Sequence, residues 1–449
     1  MKIDVNKIPI QVLGIMQKLN NANYEAFLCG GAVRDLIMNK QPHDYDICTF
    51  ATSEEIISTF QGYNIIPTGL AHGTVTIIND GMSIETTTFR SDGIYSDSRH
   101  PDSVTFVKSL KEDMARRDFT INALAMDSKG NVIDYFNGLD DIERRIIRCV
   151  GDATTRYNED ALRLMRCIRF VVQLNFKTSM GTGYPLFDLA DNLQYIAIER
   201  IREEFNKILI SDNMKKGIDL LVNTRLMKYI IPEIYDCVGF DQNNIHHDKK
   251  VYDHLIVTAE NTINKVPNRL AGLLHDIGKP CSYSVGEDGM GHFYEHHIVS
   301  ADMTRKILTR MKYDNDTIDK VCILVKHHMD RYPNLRKQSI KKFINKVGKD
   351  NLDDLFDLMI ADTKASKPPF SFEFLNTLKN EVYRILNEKE PLTVKDLAIN
   401  GDDLIEIGYV PGKELGNMLK YLLERVLEHP EWDTKEKLIK MATLPDVGY

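Results

Sequence analysis

No run of about 18 uncharged apolar residues occurs in the 449-residue chain, which excludes a membrane-spanning helix of ordinary length. The first twenty residues, MKIDVNKIPIQVLGIMQKLN, lack the unbroken apolar core of a secretory signal and predict an amphipathic helix instead. The seven cysteines (29, 48, 149, 167, 237, 281 and 322) form no CxxC pair. An odd, scattered set in a chain this long argues against a disulfide framework and for reduced thiols in a cytoplasmic protein. Internal repeats and low-complexity tracts are absent, which sets repeat arrays aside. Positive charge is also in short supply: 57 Lys and Arg stand against 65 Asp and Glu, a net of −8. That excludes wholesale coating of nucleic acid but not a local basic surface. From Ile142 to Lys216 the balance is 13 basic to 10 acidic residues, whereas from Ser371 to the end it is 10 to 15. The first of these regions is the better place to hold an RNA.

What remains is an ordinary globular composition, 43% apolar and 27% charged, of a length that suggests two to four domains. Between about 22 and 140, short apolar runs alternate with turn signals. FLCG, YDICTF, TVTII, SIETTTF, SVTFV and VIDYF read as strands, DLIMN and SEEIISTF as helical pieces, giving a mixed α/β domain. From about 142 the spacing is helical, in EDALRLMRCIRFVVQL, IAIERIREEFNKILI and MKKGIDLLVNTRLMKYI. The next stretch, 246–365, is helical and histidine-rich; nine of the 13 histidines fall between 246 and 328. A proline-rich joint, SKPPFSF, then precedes a tail of short helices punctuated by glycines 401, 408, 412 and 416. The predicted division is 1–141, 142–245, 246–365 and 366–449.

Within HDYDICT, Asp44 and Asp46 stand two residues apart on a strand and so project to one side, with Tyr45 and Ile47 on the other. Two carboxylates held this close repel unless a cation lies between them. Magnesium suits them, since it takes hard oxygen ligands and shares its coordination with substrate phosphates. Two such ions can clamp the attacking hydroxyl and the leaving pyrophosphate of a nucleotidyl transfer. Upstream, Gly30 and Gly31 open the helix-like AVRDLIM, where Cβ-free backbone lets a phosphate approach the amides at a helix start. Glu85 in SIETTTF offers a third carboxylate to the metal, against a simple surface role. RRDFTINALAM supplies Arg116 and Arg117, whose forks match a triphosphate, and Asn122, placed to meet the sugar.

The segment NEDALRLMRCIRF predicts one helix over 158–170. On it Glu159, Asp160 and Arg163 share a face, and Arg166 and Arg169 continue the strip. Ion pairing along a helix explains residues 159–163 without any ligand. A chemical reading stands beside it. Cytosine and adenine both carry an exocyclic amino donor beside a ring-nitrogen acceptor, whereas uracil and guanine present a carbonyl there. An Asp accepting from the amino group and an Arg donating to the ring nitrogen would admit C and A and reject U and G.

With GGAVRD…DYD at 30–46, RRDFTINALAM at 116–126, DYFNGLDDIERRIIRCVGD at 134–152, EDALRLMRCIRF at 159–170 and ERIREEFNKIL at 199–209 in that order, the sequence resembles a class II (bacterial) tRNA nucleotidyltransferase, or CCA-adding enzyme. The resemblance implies an α+β protein: an N-terminal mixed α/β nucleotidyltransferase head with a five-stranded sheet, then an all-α neck, an HD domain and a helical tail. It implies metal binding by Asp44 and Asp46, and nucleotide binding by the matching positions Gly30, Gly31, Arg34, Arg116, Arg117, Asp118, Asn122, Glu159, Asp160, Arg163, Arg166 and Arg169. It further implies tRNA, CTP and ATP as partners and Mg2+ as cofactor. SDGIYSDSRHPDSV, 91–104, resembles the family's flexible loop, and DLAINGDDLIEIGYVPGKELG, 396–416, its tRNA-contacting tail.

In 246–365, His254 precedes the His275–Asp276 pair, FYEHHIVSA and LVKHHMDRY follow, and Asp362 closes the set. This resembles an HD-domain phosphohydrolase, with His254, His275, Asp276, His296, His328 and Asp362 around a divalent metal of unknown identity. The spacing does not decide between His296 and His297, or between His327 and His328. A remnant without turnover is the alternative. A poly(A) polymerase, an enzyme adding only CC or only A, and a nucleotide-messenger enzyme remain the alternatives for the whole chain.

Overall fold

Proline 9 withholds an amide hydrogen, so the first helix, α1 (Ile10–Asn21), starts after it and is shorter than the twenty-residue stretch predicted. Val12, Ile15, Met16 and Leu19 recur at helical spacing and are buried. They meet one face of a sheet whose first strand, β1 (Ala26–Cys29), sends Leu28 to the same side. Helices α2 (Gly31–Ile37) and α3 (Ser53–Thr59) cover that face too, through Val33, Leu36 and Ile56. A capping box between Thr52 and Glu55 fixes the start of α3. The structure is a computed structural model that describes residues 1–70, 73–93, 104–243, 249–287, 289–330, 335–388 and 390–443.

The remaining strands are β2 (Asp46–Thr49), β3 (Asn64–Gly69), β4 (Thr74–Asn79), β5 (Met82–Thr88), β6 (Arg90–Asp92), β7 (Val104–Phe106), β8 (Leu124–Met126) and β9 (Val132–Asp134). The main sheet runs β3-β4-β5-β2-β1-β8-β9; only β2 and β5 pair in parallel. It therefore has seven strands rather than the five that the resemblance implies. Two of them carry little sequence signal. β3 contains Pro67 and ends in a glycine, and β8 is three apolar residues without alternation. The run SVTFV does form a strand, but β7 pairs with β6 in a separate two-stranded ladder. The second face of the main sheet buries Cys29, Cys48, Phe89 and Ala125 against Leu110 and Met114 of α4 (Leu110–Ala115).

Beyond α5 (Gly138–Glu143) the first unit, Met1–Pro232, is mostly helical, as the change of spacing near 142 predicts. The single helix predicted over 158–170 is instead two, α6 (Ala153–Glu159) and α7 (Leu162–Gln173). Asp160 between them is extended, at φ −140° and ψ 104°. Its carboxylate accepts from the Leu162 amide at 3.0 Å, a local bond that competes with the helix ladder. The shared helical face of Glu159, Asp160 and Arg163 therefore does not form as predicted. Helix α7 itself is well anchored. Leu164, Met165 and Ile168 are fully buried, each contributing about 1.5–3 kcal/mol.

The second unit, Glu233–Tyr449, is helical apart from a ladder between Tyr283–Val285 and Gly291–Phe293 among its described residues. Helices Val251–Asn261 and Val266–Leu274 approach closely where a Cβ on Gly272 would lie 2.6 Å from the Ala259 Cα, so no other residue fits there. Helices His296–Arg310, Asn315–His327 and Leu352–Ala365 complete that group. The tail holds helices Glu373–Asn387, Lys413–Glu428 and Lys435–Thr443. No described helix is long and apolar enough to cross a membrane.

Candidate active site

Strand β1 ends at Cys29, and Gly30, at φ +72°, turns the chain into α2. A Cβ at Gly30 would stand 2.9 Å from the Arg117 Nη1, so the missing side chain is what admits that guanidinium. Asp46 opens β2 directly beside Cys29, and Glu85 of β5 neighbours Asp46 on its other side. Asp44 and Asp46 are exposed while Tyr45 and Ile47 are buried, the alternation that the strand pattern predicts. The walls around Asp46 desolvate its carboxyl and push it up to about 6; the charges of Glu85 and Asp44 add to this and Arg117 opposes it.

One cavity of about 630 Å3 gathers Asp44, Asp46, Gly30, Gly31, Arg34, Arg116, Arg117, Asp118, Asn122, Asp160, Arg163, Arg166 and Arg169. Glu85 and Glu159 are not among its lining residues. Glu159 instead pairs with Arg156 and Arg163. His43, Asp35, Phe170 and Arg200 line the cavity without having been singled out in the sequence. His43 and Asp35 had a signal, since both adjoin selected residues. Arg200 lies in the ERIREEF segment and reaches Asp160 at 3.2 Å, a contact across 40 positions that no local pattern shows. Phe170 lies under the Arg169 guanidinium, 4.0 Å from its ring centre. Seven guanidiniums thus share one cavity with two exposed carboxylates, a set able to hold a polyphosphate.

Internal bonds fix these groups. Arg34 donates to Asn122 Oδ1 at 2.7 Å and to Asp35 at 2.9 Å. The Asn122 amide nitrogen donates in turn to Asp118 at 3.1 Å. Asp118 also accepts from the Arg166 Nε and Nη2 at 2.8 and 2.6 Å. Burial works against the Asp118 charge, but the Arg166 guanidinium outweighs it and lowers the carboxyl to about 2. Arg169 pairs with Glu204 at 2.5 Å, which ties α7 to helix Ile198–Leu209. Most of the segment resembling a flexible loop, 94–103, lies outside the described residues.

In the second unit the predicted histidine set converges. His254 Nε2 lies 3.2 Å from His275 Nε2 and 3.0 Å from Asp362 Oδ1. Asp276 faces both ways: its Oδ2 is 3.3 Å from His275, and its Oδ1 is 3.1 Å from His296 and 3.5 Å from His328. Of each His-His pair, His296 and His328 turn inward, whereas His327 pairs with Asp330 at 2.8 Å. The Nδ1 atoms of His275, His296 and His328 each donate to the carbonyl three residues earlier, at 2.9, 2.8 and 2.7 Å. With Nδ1 as the donor, the neutral form of each of these three rings carries its lone pair on Nε2, the tautomer a metal requires. Two groups able to hold a metal ion result, His254–His275–Asp276 and Asp276–His296–His328. Sequence reasoning missed Lys279, a buried lysine 2.7 Å from Asp276.

The chain is similar to known proteins along nearly all of its length. Residues 26–148 match the poly A polymerase head domain, 175–237 the probable RNA and SrmB-binding site of polymerase A, and 251–365 the HD domain. Head and HD domains of these families generally use divalent metals. The CCA-adding enzyme of Leuconostoc mesenteroides is 48% identical over 216 residues; that match spans 48% of this chain and about half, 53%, of the relative. The CCA-adding enzyme of Limosilactobacillus fermentum is 33% identical over 428 residues, 95% of each chain. A crystal structure of the Bacillus stearothermophilus CCA-adding enzyme in complex with CTP superimposes with a TM-score of 0.73 at 29% identity, covering 96% of both chains. With the head, the RNA-binding segment and the HD domain in the same order, and one relative matched along nearly its whole length, the chain belongs to the family of CCA-adding enzymes.

Proposed function

We propose that this protein adds C, C and A to the 3′ end of tRNA from CTP and ATP, without a nucleic-acid template and with release of pyrophosphate, in the cytoplasm. The observation that carries the reading is the single cavity in which the carboxylates of Asp44 and Asp46 meet the Gly30–Gly31 turn, Arg116 and Arg117, and the Asp160–Arg163 pair. Residues 1–141 carry the chemistry, 142–245 the base selection and RNA contacts, 246–365 the HD site and 366–449 the tail.

The two aspartates offer hard oxygens on one face of the cavity, with the Glu85 carboxylate beside Asp46, so the donor set fits Mg2+. Asp44 and Asp46 would hold the ion, which would supply positive charge to the attacking hydroxyl and the departing pyrophosphate. The protein's own groups do the rest. The RNA 3′-hydroxyl gives up its proton to solvent, its oxygen bonds to the α-phosphorus of the nucleotide, and the bond from that phosphorus to the bridging oxygen breaks, so that pyrophosphate leaves. Arg34, Arg116 and Arg117 hold the triphosphate in line for that exchange, and Asn122 has one amide hydrogen left for the sugar. Asp160 accepts from the amino group of cytosine or adenine, and Arg163 donates to the ring nitrogen. Arg166 and Arg169 extend the cationic wall, with Asp118 and Glu204 as their counter-charges.

Supplying each nucleotide alone and in pairs to tRNA stripped of its 3′ end tests the assignment. CTP alone should give two added residues, and CTP with ATP three and no more. Long tracts of A from ATP alone would overturn it in favour of poly(A) synthesis.

A second activity rests on the paired triads that share Asp276. Imidazoles and carboxylates fit a divalent metal, which would activate water against a phosphoester. The protein should open a 2′,3′-cyclic nucleotide when supplied with a suitable divalent ion. A chelator, or His275→Ala, should lower that rate by about 100-fold or more, the effect of losing a ligand that orients the metal. Absence of any release with Mg2+, Mn2+, Co2+ or Ni2+ would make the site a structural remnant.

A further inference from the structure

We propose that Asp113, a residue that does not reach the cavity, is the positioning residue for Arg116 and Arg117 and, through Arg116, for base choice. The inference rests on the nucleotidyltransferase reading above. Asp113 lies on α4 and is 1% exposed. One of its oxygens accepts from the Arg116 Nε and Nη2 at 3.0 and 2.8 Å and from the Arg90 backbone amide at 3.3 Å. Its other oxygen accepts from Arg117 at 3.4 Å. A single buried carboxylate thus holds two guanidiniums that line the cavity and the first residue of β6.

The link continues inward from each arginine. Arg116 also donates to the Arg90 carbonyl at 3.1 Å, and its own carbonyl accepts from the Arg163 Nη2 at 3.1 Å. Arg163, which we assign to the base, therefore stands on the backbone of a residue that Asp113 holds. Arg117 is braced on its far side by the Cys29 thiol at 3.1 Å. Asp46 lines the same cavity and is the strand neighbour of Cys29, so it is the carboxylate next within reach of Arg117. Removing the Asp113 charge takes from two half-buried guanidiniums the carboxylate that orients them. Arg117 then turns to Asp46 and competes for the carboxylate assigned to magnesium, while Arg116 no longer fixes the floor under Arg163.

A purely structural role would lower stability and leave substrate binding alone. A positioning role changes KM and selectivity. Asp113→Asn keeps the shape and removes the charge. With full-length protein and stripped tRNA, its KM for CTP and for ATP should rise about tenfold, the loss of one charge-assisted contact, with kcat within about threefold. Use of UTP relative to CTP should rise about tenfold as well, and more Mg2+ should be needed for half-maximal rate. Unchanged KM and unchanged selectivity overturn the inference, whatever happens to the melting temperature. Should Asp113→Asn fail to fold, Asp113→Glu retains the charge but displaces it by one methylene. Its KM should rise about threefold or more, and wild-type KM there overturns the inference equally. Wild-type protein that incorporates no CMP overturns the functional reading itself; active wild type with unaltered variants overturns only the role of Asp113.

Discussion

Asp46→Ala should slow CMP addition by about 1,000-fold or more while tRNA affinity stays within about twofold. The loss corresponds to roughly 4 kcal/mol of transition-state stabilisation, the scale expected when a metal-holding carboxylate is removed. Binding should survive because Asp46 is an exposed carboxylate in a cavity where seven guanidiniums outnumber five carboxylates, and anionic RNA gains nothing from it. Asp44→Ala should behave alike, since both carboxylates face the same cavity. Stability adds an independent sign. The Asp46 carboxyl sits at about 6, above the roughly 3.9 of an unfolded chain. A raised carboxyl makes ionisation in the folded state costly, so without added metal the stability gap between Asp46→Ala and wild type should narrow as pH falls from above 6 toward 4. The alanine variant lacks that cost and should melt no earlier than wild type at neutral pH. Loss of tRNA binding together with loss of stability would sink the assignment of the pair.

The sequence exposed those parts of the site that obey a short period. Alternation in HDYDICT places Asp44 and Asp46 on one side, and the structure keeps that face exposed. The glycine turn was legible because only Gly30 tolerates its positive φ and the nearby Arg117. The change to helical spacing near 142 marked where the sheet ends. Other features follow from competition between local and distant bonds. EDALRLMRCIRF has helical periodicity throughout, yet the Asp160 carboxylate captures the Leu162 amide and breaks the helix. Two partners of Asp113 are close in sequence, at i+3 and i+4, but the third, the Arg90 amide, lies 23 positions away and no local pattern shows it. Which histidine of each pair turns inward is set by the start of helix His296–Arg310 and the end of helix Asn315–His327, and helix ends are poorly fixed by pattern.

Asp160→Ala should relax base choice. The ratio of kcat/KM for CTP to that for UTP should fall by about ten- to a hundredfold, since a paired donor–acceptor contact to a base edge is worth about 1–3 kcal/mol of discrimination. The break between α6 and α7 makes the residue suited to this. Extended backbone at 160 frees the side chain from the helix surface, one oxygen is spent on the Leu162 amide, and the other points to Arg200. An oxygen shared with a guanidinium at 3.2 Å stays strictly an acceptor, which is what an exocyclic amino group needs and a carbonyl does not. Alanine removes the acceptor and releases Arg200, whose donors then suit the carbonyl of uracil. The substitution thus weakens binding to the right base and removes the repulsion that rejects the wrong one, so the change in ratio should exceed the change in overall rate. Asp160→Asn separates the two: its amide can donate as well as accept, and it should admit UTP while still using CTP. Measured with single nucleotides on stripped tRNA, an unaltered preference among the four in both variants would remove Asp160 from base selection and return it to a purely ion-paired role with Arg200.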